Sequence, residues 1–346
     1  MTHKTIIGVD LAKHLFQVCI VNHKGTLKTN MTVTRAKLLA FMARQPPALV
    51  VMEACCGAHD WARRFRALGH EVRLLAPQYV VPFRHGQKND PNDALALTEA
   101  GRRPSMPSVP VKSAEQQDIQ AWHRVRERLV KNRTALVNQI RGLLLEYGVV
   151  IPQGLSRVRQ RLPGILADTD NGLTLAFRVL LQSLGHELSD LDASVAEVTQ
   201  RLTHISHELE ACQRLQEMDG IGPLNATALV AALGNGHDFR NGRQVAAWLG
   251  LVPRQYSSGG KTRLAGISKR GNSYLRCLLI HGARSVVSRA RTKTDATSMW
   301  IRQLVGRVGM NKACVAVANK MARVAWALLH TGEHYRKPEK LQGQVA

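Results

Sequence analysis

The stretch TIIGVD at residues 5–10 runs through a short apolar segment and ends on Asp10. A second stretch, ALVVME at residues 48–53, has the same form and ends on Glu53. Short apolar runs of this kind predict buried strands, and ligands gather at strand ends in an α/β sheet. A carboxylate there is costly to bury unless it is paired or binds a cation. The two stretches therefore predict two buried strands, each with a candidate functional carboxylate at its end.

The segments around these strands alternate between strand and helix patterns over residues 1–104. Three strands with hairpin-like spacing come first, and the third is more polar, so we expect it near a sheet edge. This order predicts an α/β domain with a mixed sheet. The further expected elements are strands at residues 15–21, 27–33 and 71–75 and helices at residues 35–44 and 59–68.

A second acidic motif is NDPNDA at residues 89–94. Asp90 suits the N-cap of a helix whose first residue is Pro91, and Asp93 then lies in the first turn. With the two strand-end acids, these carboxylates would form a hard-oxygen site for Mg²⁺, and two ions ~3.5–4 Å apart could hold both reacting oxygens of a phosphodiester. Alternatively, Asp90 is only a cap and Asp93 only a favourable charge at the helix dipole. An actin-like ATPase strand at residues 8–10 is a further alternative, but no additional glycine-rich phosphate loop is evident.

The charge of the chain indicates a polyanionic partner. Its 346 residues include 48 Lys and Arg against 25 Asp and Glu, which gives a formal net charge of +23. Nucleic acid is the commonest partner for such a charge. An anionic membrane surface is the weaker alternative, because no segment combines a clean basic face with an aromatic one. Aromatic residues make up only 5% of the chain, which argues against a single-strand binder based on stacking.

The length of the chain and its cysteines further restrict the class of protein and its expected compartment. The chain is longer than one hydrophobic core usually requires, so we expect two or three domains. No apolar run reaches the ~18 residues of a membrane-spanning helix. The six cysteines form no C-x-x-C pair, which argues against a zinc site and favours a reducing cytoplasm. We expect a bacterial cytoplasmic protein associated with the nucleoid, with no membrane partner.

The middle of the chain predicts long helices. Prolines mark a linker at residues 104–113, and a helix is expected over residues 113–147. Apolar residues from Leu184 to Cys212 recur in alternating steps of four and three, a heptad pattern. This seam could pack within one chain against the preceding helix, or between two subunits, and both can hold. Basic residues of the first helix are candidates for nucleic-acid contact, although a solvated face is nearly as good an interpretation. These candidates are Arg124, Arg126, Arg128, Lys131 and Arg133.

Two glycines near residue 220 are candidates for phosphate contact. Gly220 and Gly222 lie in the sequence DGIG between two helical stretches, which predicts a helix-hairpin-helix-like turn. Such a turn can present backbone N–H groups at a helix N-terminus to a phosphate, without reading the base sequence. The alternative is a plain tight turn between packed helices. An amphipathic helix over residues 312–329 and a loose polar tail after Thr331 complete the chain.

A glycine-rich, basic loop at residues 250–263 contains two serines, Ser257 and Ser258. A serine that attacks phosphate needs cations to neutralise the transition state. From this chemistry alone, a surface loop that only touches phosphates is the favoured interpretation. The cations of this segment, of the ISKRGN stretch at 267–272 and of the residues just after it are Arg254, Lys261, Arg263, Lys269, Arg270 and Arg276.

The motifs taken in order resemble those of a known family, the DEDD transposases of the 110 family of insertion sequences, described as bridge-RNA-guided recombinases. The chain looks most like their 1111 subgroup. The resemblance spans residues 8–276, and the ordered combination is specific although each motif alone is modest. It is carried by GVDLAK at 8–13, MEA at 52–54, KNDPNDA at 88–94, DGIG at 219–222, GLVPR at 250–254, YSSG at 256–259 and SKRGN at 268–272.

This resemblance implies the domain plan and the chemistry. Residues 1–104 would be a RuvC-like domain of the RNase H fold. Residues 105–214 would form a linker and coiled-coil helices used for RNA contact and dimerisation. Residues 215–332 would be a mostly helical transposase domain, followed by a loose tail at 333–346. Asp10, Glu53, Asp90 and Asp93 would be the metal-site acids. Ser258 would form a covalent 5′-phosphoserine link, beside carboxylates of another subunit. The partners would be donor and target DNA, a noncoding RNA and further copies of the chain, as a dimer or a dimer of dimers.

Four alternatives stay open at the level of sequence. The family serine often follows an acidic residue, whereas Ser257 precedes Ser258 here; we favour Ser258 because it directly precedes Gly259. Tyr256 could act as in tyrosine recombinases, although their arginine-histidine arrangement is not evident. The protein could instead be a metal-only junction resolvase, or a non-catalytic RNA-binding architectural protein.

Overall fold

The computed structural model describes residues 4–337, and their contacts divide into two compact units with a boundary between Ala114 and Glu115. The first unit contains a six-stranded sheet in the order β3-β2-β1-β4-β5-β6. Its strands are β1 (Ile6–Asp10), β2 (Leu15–Val21), β3 (Leu27–Thr34), β4 (Leu49–Glu53), β5 (Glu71–Leu75) and β6 (Ser108–Val109). Its helices are α1 (Arg35–Ala43), α2 (Ala58–Ala67), α3 (Pro77–Val80), a 3-10 turn (Val81–Phe83) and α4 (Asp90–Gly101).

The sheet is mixed, as the sequence predicts. β1, β4 and β5 are parallel to one another, whereas β2, β3 and β6 each pair antiparallel with a neighbour. The polar strand β3 lies at an edge, as expected. The other edge strand, β6, comes from the segment for which the prolines predicted only a linker.

The apolar strand residues alternate between the two faces of the sheet, so both faces are covered. Ile7 and Val9 pack in one cluster with side chains of α1 and α2 such as Met42 and Phe65. Ile6 packs in another cluster with residues of α4. The first unit is therefore a sheet between helical layers, and this arrangement fixes the ends of β1 and β4 relative to α4.

The second unit is mostly helical and contains one two-stranded hairpin. The long helices are α5 (Ala114–Leu145), α6 (Leu155–Ala167) and α7 (Leu175–Glu208). The later elements are α8 (Glu210–Gln216), α9 (Pro223–Leu233), α10 (Gly242–Trp248), β7 (Pro253–Ser258), β8 (Lys261–Ile267), α11 (Ser273–Arg289), α12 (Ala296–Val308) and α13 (Met310–Thr331). The expected helices at 113–147 and 312–329 correspond to α5 and α13. Part of the expected loose tail, residues 338–346, lies outside the described residues.

The heptad seam of α7 is filled from within the chain. Leu188 shares a buried cluster with Ile140 of α5, while Val198 and Leu202 share another with Leu129. The seam of α7 therefore packs against α5 of the same chain, as one of the two alternatives predicted, and contact between subunits stays a prediction. Among the described residues, no helix is both long and apolar enough to cross a membrane.

Candidate functional site

Two of the predicted acids end neighbouring parallel strands. Val9 of β1 is paired with Met52 of β4, so Asp10 and Glu53, the next residues, lie at the same edge of the sheet. Burial, followed by the nearby carboxylates of Asp90, Asp93 and Glu53 in that order, raises the pKa of Asp10 from 3.8 to about 6. The four acids, which the sequence separates by up to 83 positions (93 − 10), therefore belong to one electrostatic group.

The start of α4 differs from the predicted cap. Asn89 is the N-cap, because its extended backbone lets its side chain accept a hydrogen bond from the Asn92 N–H at 2.9 Å. Asp90 is instead the first helical residue, ahead of Pro91, so the expectation that Asp90 is the cap was wrong. Asp90 and Asp93 both lie in the first turn of α4, where the helix dipole favours their negative charges.

Cations partly neutralise this acidic group. Arg84 Nη1 lies 3.2 Å from Asp93 Oδ1, and both side chains are about three-quarters buried. Burial and Asp93 raise the pKa of Glu53, whereas Lys88 lowers it. Sequence reasoning missed Arg84, and its position in the polar stretch before NDPNDA gave no signal of this contact.

The donor set fits a divalent cation. All four groups are carboxylates, the oxygen ligands that Mg²⁺ prefers, and the raised pKa of Asp10 reflects repulsion and desolvation that a cation would relieve. Within residues 4–337, however, no three His, Cys, Asp or Glu side chains are already arranged to hold a metal ion. The acids are therefore gathered at one edge without forming a closed ligand cage.

The serine segment is a β-hairpin, whereas the sequence predicted a loop. β7 and β8 pair antiparallel, and Ser258 lies opposite Lys261 across a two-residue turn. Gly259 and Gly260 form that turn with φ of 55° and 77°. A two-residue hairpin turn with positive φ at both positions strongly favours glycine, which explains the Gly-Gly pair.

The register of the hairpin separates the two serines. Tyr256 is opposite Arg263 and Ser258 is opposite Lys261, so these side chains share one face. Ser257 points to the other face, where its Oγ accepts a hydrogen bond from Gln255 Nε2 at 2.8 Å. Both strands are exposed apart from the partly buried Ile267. One face of the hairpin therefore combines a hydroxyl with two cations.

The ISKRGN stretch anchors the base of the hairpin. Arg276 Nη1 donates to the carbonyl oxygens of Leu249 at 2.9 Å and of Arg270 at 3.2 Å. A Cβ on Gly271 would lie 1.8 Å from the Trp248 carbonyl oxygen, so only glycine fits there. Arg254, Lys269 and Arg270 are exposed. Arg276 is thus engaged with backbone groups, and its predicted contact with nucleic acid stays a prediction.

The turn at residue 220 is packed on one side. Gly220 has a φ of 87°, and a Cβ there would lie 2.6 Å from Val286 Cγ2 and 2.9 Å from the Gly282 carbonyl oxygen. Gly222 is exposed, and no heavy atom lies within 4 Å of a Cβ built on it. Close packing thus accounts for Gly220, while Gly222 at the start of α9 is the glycine accessible to a phosphate.

The basic residues of α5 divide into two groups. Arg126 Nε donates to Thr199 Oγ1 at 2.8 Å, and Arg133 pairs with Asp192 at 3.1 Å, so both join α5 to α7. Arg124 and Lys131 are exposed and flank Glu127. Arg128 is exposed. The exposed three are therefore better placed for a nucleic-acid backbone than the two that pack against α7.

A mixed sheet with acids at the C-terminal ends of central strands is consistent with a DEDD transposase domain. Such a domain suggests an RNase H-like fold. A DEDD transposase model of the IS110 type matches residues 7–149, and the model described as "Transposase IS116/IS110/IS902 family" matches residues 212–298. The chain belongs to the IS110 family of DEDD transposases. Membership in this family implies a transposase activity and a divalent metal ion.

Relatives along nearly the whole length support the same assignment. The chain is 46% identical over 331 residues to the transposase for insertion sequence element IS1111A of Coxiella burnetii, covering 96% of this chain and 91% of the relative. It is 48% identical over 332 residues to a probable family 20 transposase of Pseudomonas aeruginosa, covering 95% and 98%. It is 38% identical over 338 residues to the transposase for insertion sequence element IS1328 of Yersinia enterocolitica, covering 97% and 100%.

Proposed function

We propose that this transposase excises and inserts an insertion sequence by RNA-guided strand exchange, with Ser258 as the nucleophile and Mg²⁺ at Asp10, Glu53, Asp90 and Asp93. The proposal assigns a RuvC-like role to residues 1–104, RNA contact and subunit pairing to the helices of 105–214, and the serine chemistry to 215–332. It rests on the family motifs and on one observation, the hairpin face that Ser258 shares with Lys261 and Arg263.

The hairpin register favours Ser258 over Ser257. The Ser258 hydroxyl is exposed beside two cations that can neutralise the charge of a phosphorane transition state. The Ser257 hydroxyl lies on the opposite face and accepts a hydrogen bond from Gln255. Tyr256 shares the face of Ser258 and would contact the sugar or base beside the attacked phosphate.

In the proposed reaction a bond forms between Ser258 Oγ and phosphorus, and the bond from phosphorus to the 3′ oxygen of the neighbouring sugar breaks. The departing 3′ oxygen takes up a proton, which comes from the serine hydroxyl either directly or through solvent, and becomes a 3′ hydroxyl. The reverse attack by a 3′ hydroxyl rejoins the strands, and no ATP is needed because the covalent link conserves the bond energy. A divalent cation on the carboxylates would stabilise charge on the phosphate.

A covalent-adduct assay tests the nucleophile. The full chain is incubated with Mg²⁺, RNA transcribed from the flanks of the element and labelled DNA that contains the junction of the element. We expect labelled protein on a denaturing gel, lost in Ser258→Ala and kept in Ser257→Ala. Loss of the adduct in Ser257→Ala alone would assign the chemistry to the other hydroxyl. Omission of the RNA should abolish site-specific adducts, and an RNA-independent adduct would refute guidance by RNA.

A metal-only nuclease is the second candidate, and the acidic group at the ends of β1 and β4 favours it. Water would then be the nucleophile, and Ser258 would only bind phosphate. In the same assay this mechanism gives cleaved DNA without an adduct, and Ser258→Ala remains active. Asp10→Asn abolishes cleavage under both mechanisms, so it distinguishes either enzyme from a non-catalytic architectural protein.

A further inference from the structure

The second unit contains a cavity of about 300 Å³ beside the turn at Asp219 and Gly220. Its apolar lining includes Met218, Val317 and Met321, which are buried members of the core of this unit. The volume lies at the lower end of the range for ligand pockets. It is suited to a single small ring system and is too small for a base pair.

Cations also line the cavity. Arg289, Lys293, Lys320 and Lys337 line it, against two carboxylates, Asp219 and Asp295. The Asp295 carboxylate already caps α12, since it accepts hydrogen bonds from the Ser298 N–H at 3.0 Å and the Ser298 hydroxyl at 2.7 Å. The cations therefore outnumber the acids, and the cavity favours an anionic group.

Two aromatic side chains, Trp300 and Tyr335, complete the lining. Lys320 Nζ lies 4.7 Å from the centre of the Trp300 ring, which keeps a cation next to the indole. Tyr335 is held at the cavity by its backbone N–H, which donates to Glu217 Oε2 at 2.7 Å. Burial, together with Asp219 and Asp295, raises the pKa of Tyr335, so its hydroxyl remains a donor.

A planar ring that carries a phosphate matches this combination of surfaces. We propose that the cavity binds one unpaired nucleotide of the nucleic-acid substrate, with its phosphate on the cations and its base against Trp300 and the apolar lining. The carboxylates Asp219 and Asp295 can accept hydrogen bonds from amino groups on the base. The site contains neither Ser258 nor any of the four strand-edge and helix-start acids, so it does not depend on the proposed nucleophile.

The test uses the full chain and duplexes with one unpaired 2-aminopurine, compared with fully paired duplexes of the same length. Stacking of the base on an indole ring quenches 2-aminopurine fluorescence. We expect quenching and tighter binding of the unpaired duplex. Trp300→Leu should reduce the preference for the unpaired duplex by about tenfold, the scale of one lost base–aromatic contact. Lys293→Gln, which removes one of the cations proposed to hold the phosphate, should also reduce this preference. Lys293 is half-exposed, so its variant keeps the test valid if Trp300→Leu fails to fold.

The control is Arg307→Gln, which removes one exposed cation of α12 outside the cavity. It should lower binding of both duplexes equally. DNA and RNA duplexes are measured separately, and a preference in either one supports the site and identifies the source of the nucleotide. Equal binding of paired and unpaired duplexes in both series, or an equal loss of preference in Arg307→Gln, would overturn the proposal. Ser258→Ala should keep the quenching, which separates this site from the strand-exchange chemistry.

Discussion

Gly8 of β1 and Ala94 of α4 are in direct backbone contact, since a Cβ on Gly8 would lie 2.4 Å from the Ala94 carbonyl oxygen. Asp10 is two residues beyond Gly8, and Asp93 directly precedes Ala94. The contact therefore brings the acidic strand end and the acidic helix start together. A side chain at position 8 would push the end of β1 away from the start of α4.

Gly8→Ala should damage the acidic group without changing any of its charges. The added methyl meets a carbonyl oxygen and also Thr98 Cγ2 at 2.8 Å, so α4 must move. We expect a loss of about 1–3 kcal/mol in the free energy of unfolding, as for overpacking generally, and a smaller rise of the melting temperature when Mg²⁺ is added. Denaturant titration and thermal melts measure both. Gly142→Ala in α5 is the matched control, because a Cβ there meets no heavy atom within 4 Å. An Mg²⁺ response in Gly8→Ala equal to that of the wild type would contradict the prediction.

Asp10→Asn should separate stability from metal binding. Burial and the neighbouring acids penalise the Asp10 charge, so its removal should stabilise the metal-free protein by on the order of 1 kcal/mol. The same variant should lose the stabilisation that Mg²⁺ gives the wild type. Melts in chelator and in Mg²⁺ test this, with Asp60→Asn, a half-buried acid of α2 paired to Arg64, as the control. A variant less stable than the wild type in chelator would show that repulsion does not dominate at this site.

Arg276 and Arg270 should respond differently to substitution by glutamine. Arg276 binds backbone carbonyls at the base of the hairpin, whereas Arg270 is exposed. Arg270→Gln should reduce the slope of log affinity for DNA against log salt by about one, the effect of one lost phosphate contact. Arg276→Gln should leave that slope unchanged and speed amide exchange over β7 and β8. A reduced slope in Arg276→Gln with unchanged exchange would instead make it a phosphate ligand.

His123 should make stability depend on pH. It is buried, and its pKa is lowered from 6.5 to about 4, chiefly by burial and then by Arg126. Its Nδ1 lies 3.0 Å from the Tyr274 hydroxyl, and its Nε2 lies 3.0 Å from the hydroxyl of Thr227, which donates to the Pro223 carbonyl. The ring therefore donates from Nε2 and accepts at Nδ1, which requires the neutral form.

Between pH 6.5 and about 4 the unfolded chain binds a proton at His123 that the folded chain does not. The His123 contribution to the free energy of unfolding is therefore fully present above pH 6.5 and is lost as the pH falls to about 4, by on the order of 2 kcal/mol. His123→Asn should flatten this dependence in unfolding titrations across that range. Tyr274→Phe should lower stability but keep the dependence, and an equally steep His123→Asn curve would disprove the assignment.

The sequence predicted those parts of the fold that local patterns determine. Apolar runs located β1, β2, β4 and β5, and helical periodicity located α1, α2, α5 and α13 within a few residues. The two-residue strand β6 and the β7–β8 hairpin were missed. β6 is too short to carry a pattern. The hairpin strands are exposed and carry polar residues on both faces, so no alternation of apolar and polar residues revealed them.

By itself, the sequence determined which residue types are available: a basic chain, acids at two strand ends and at one helix start, and serines before a Gly-Gly pair. How these residues are used depends on the three-dimensional arrangement of the chain. Parallel pairing of β1 with β4 and the close approach of Gly8 to Ala94 bring the four acids together, while the hairpin register puts Ser258, and not Ser257, beside Lys261. The packing of Arg126, Arg133 and Arg276 likewise depends on partners far along the chain. Local sequence encodes charge and secondary structure, but which side chains meet depends on strand register and helix packing, which arise from contacts between distant segments.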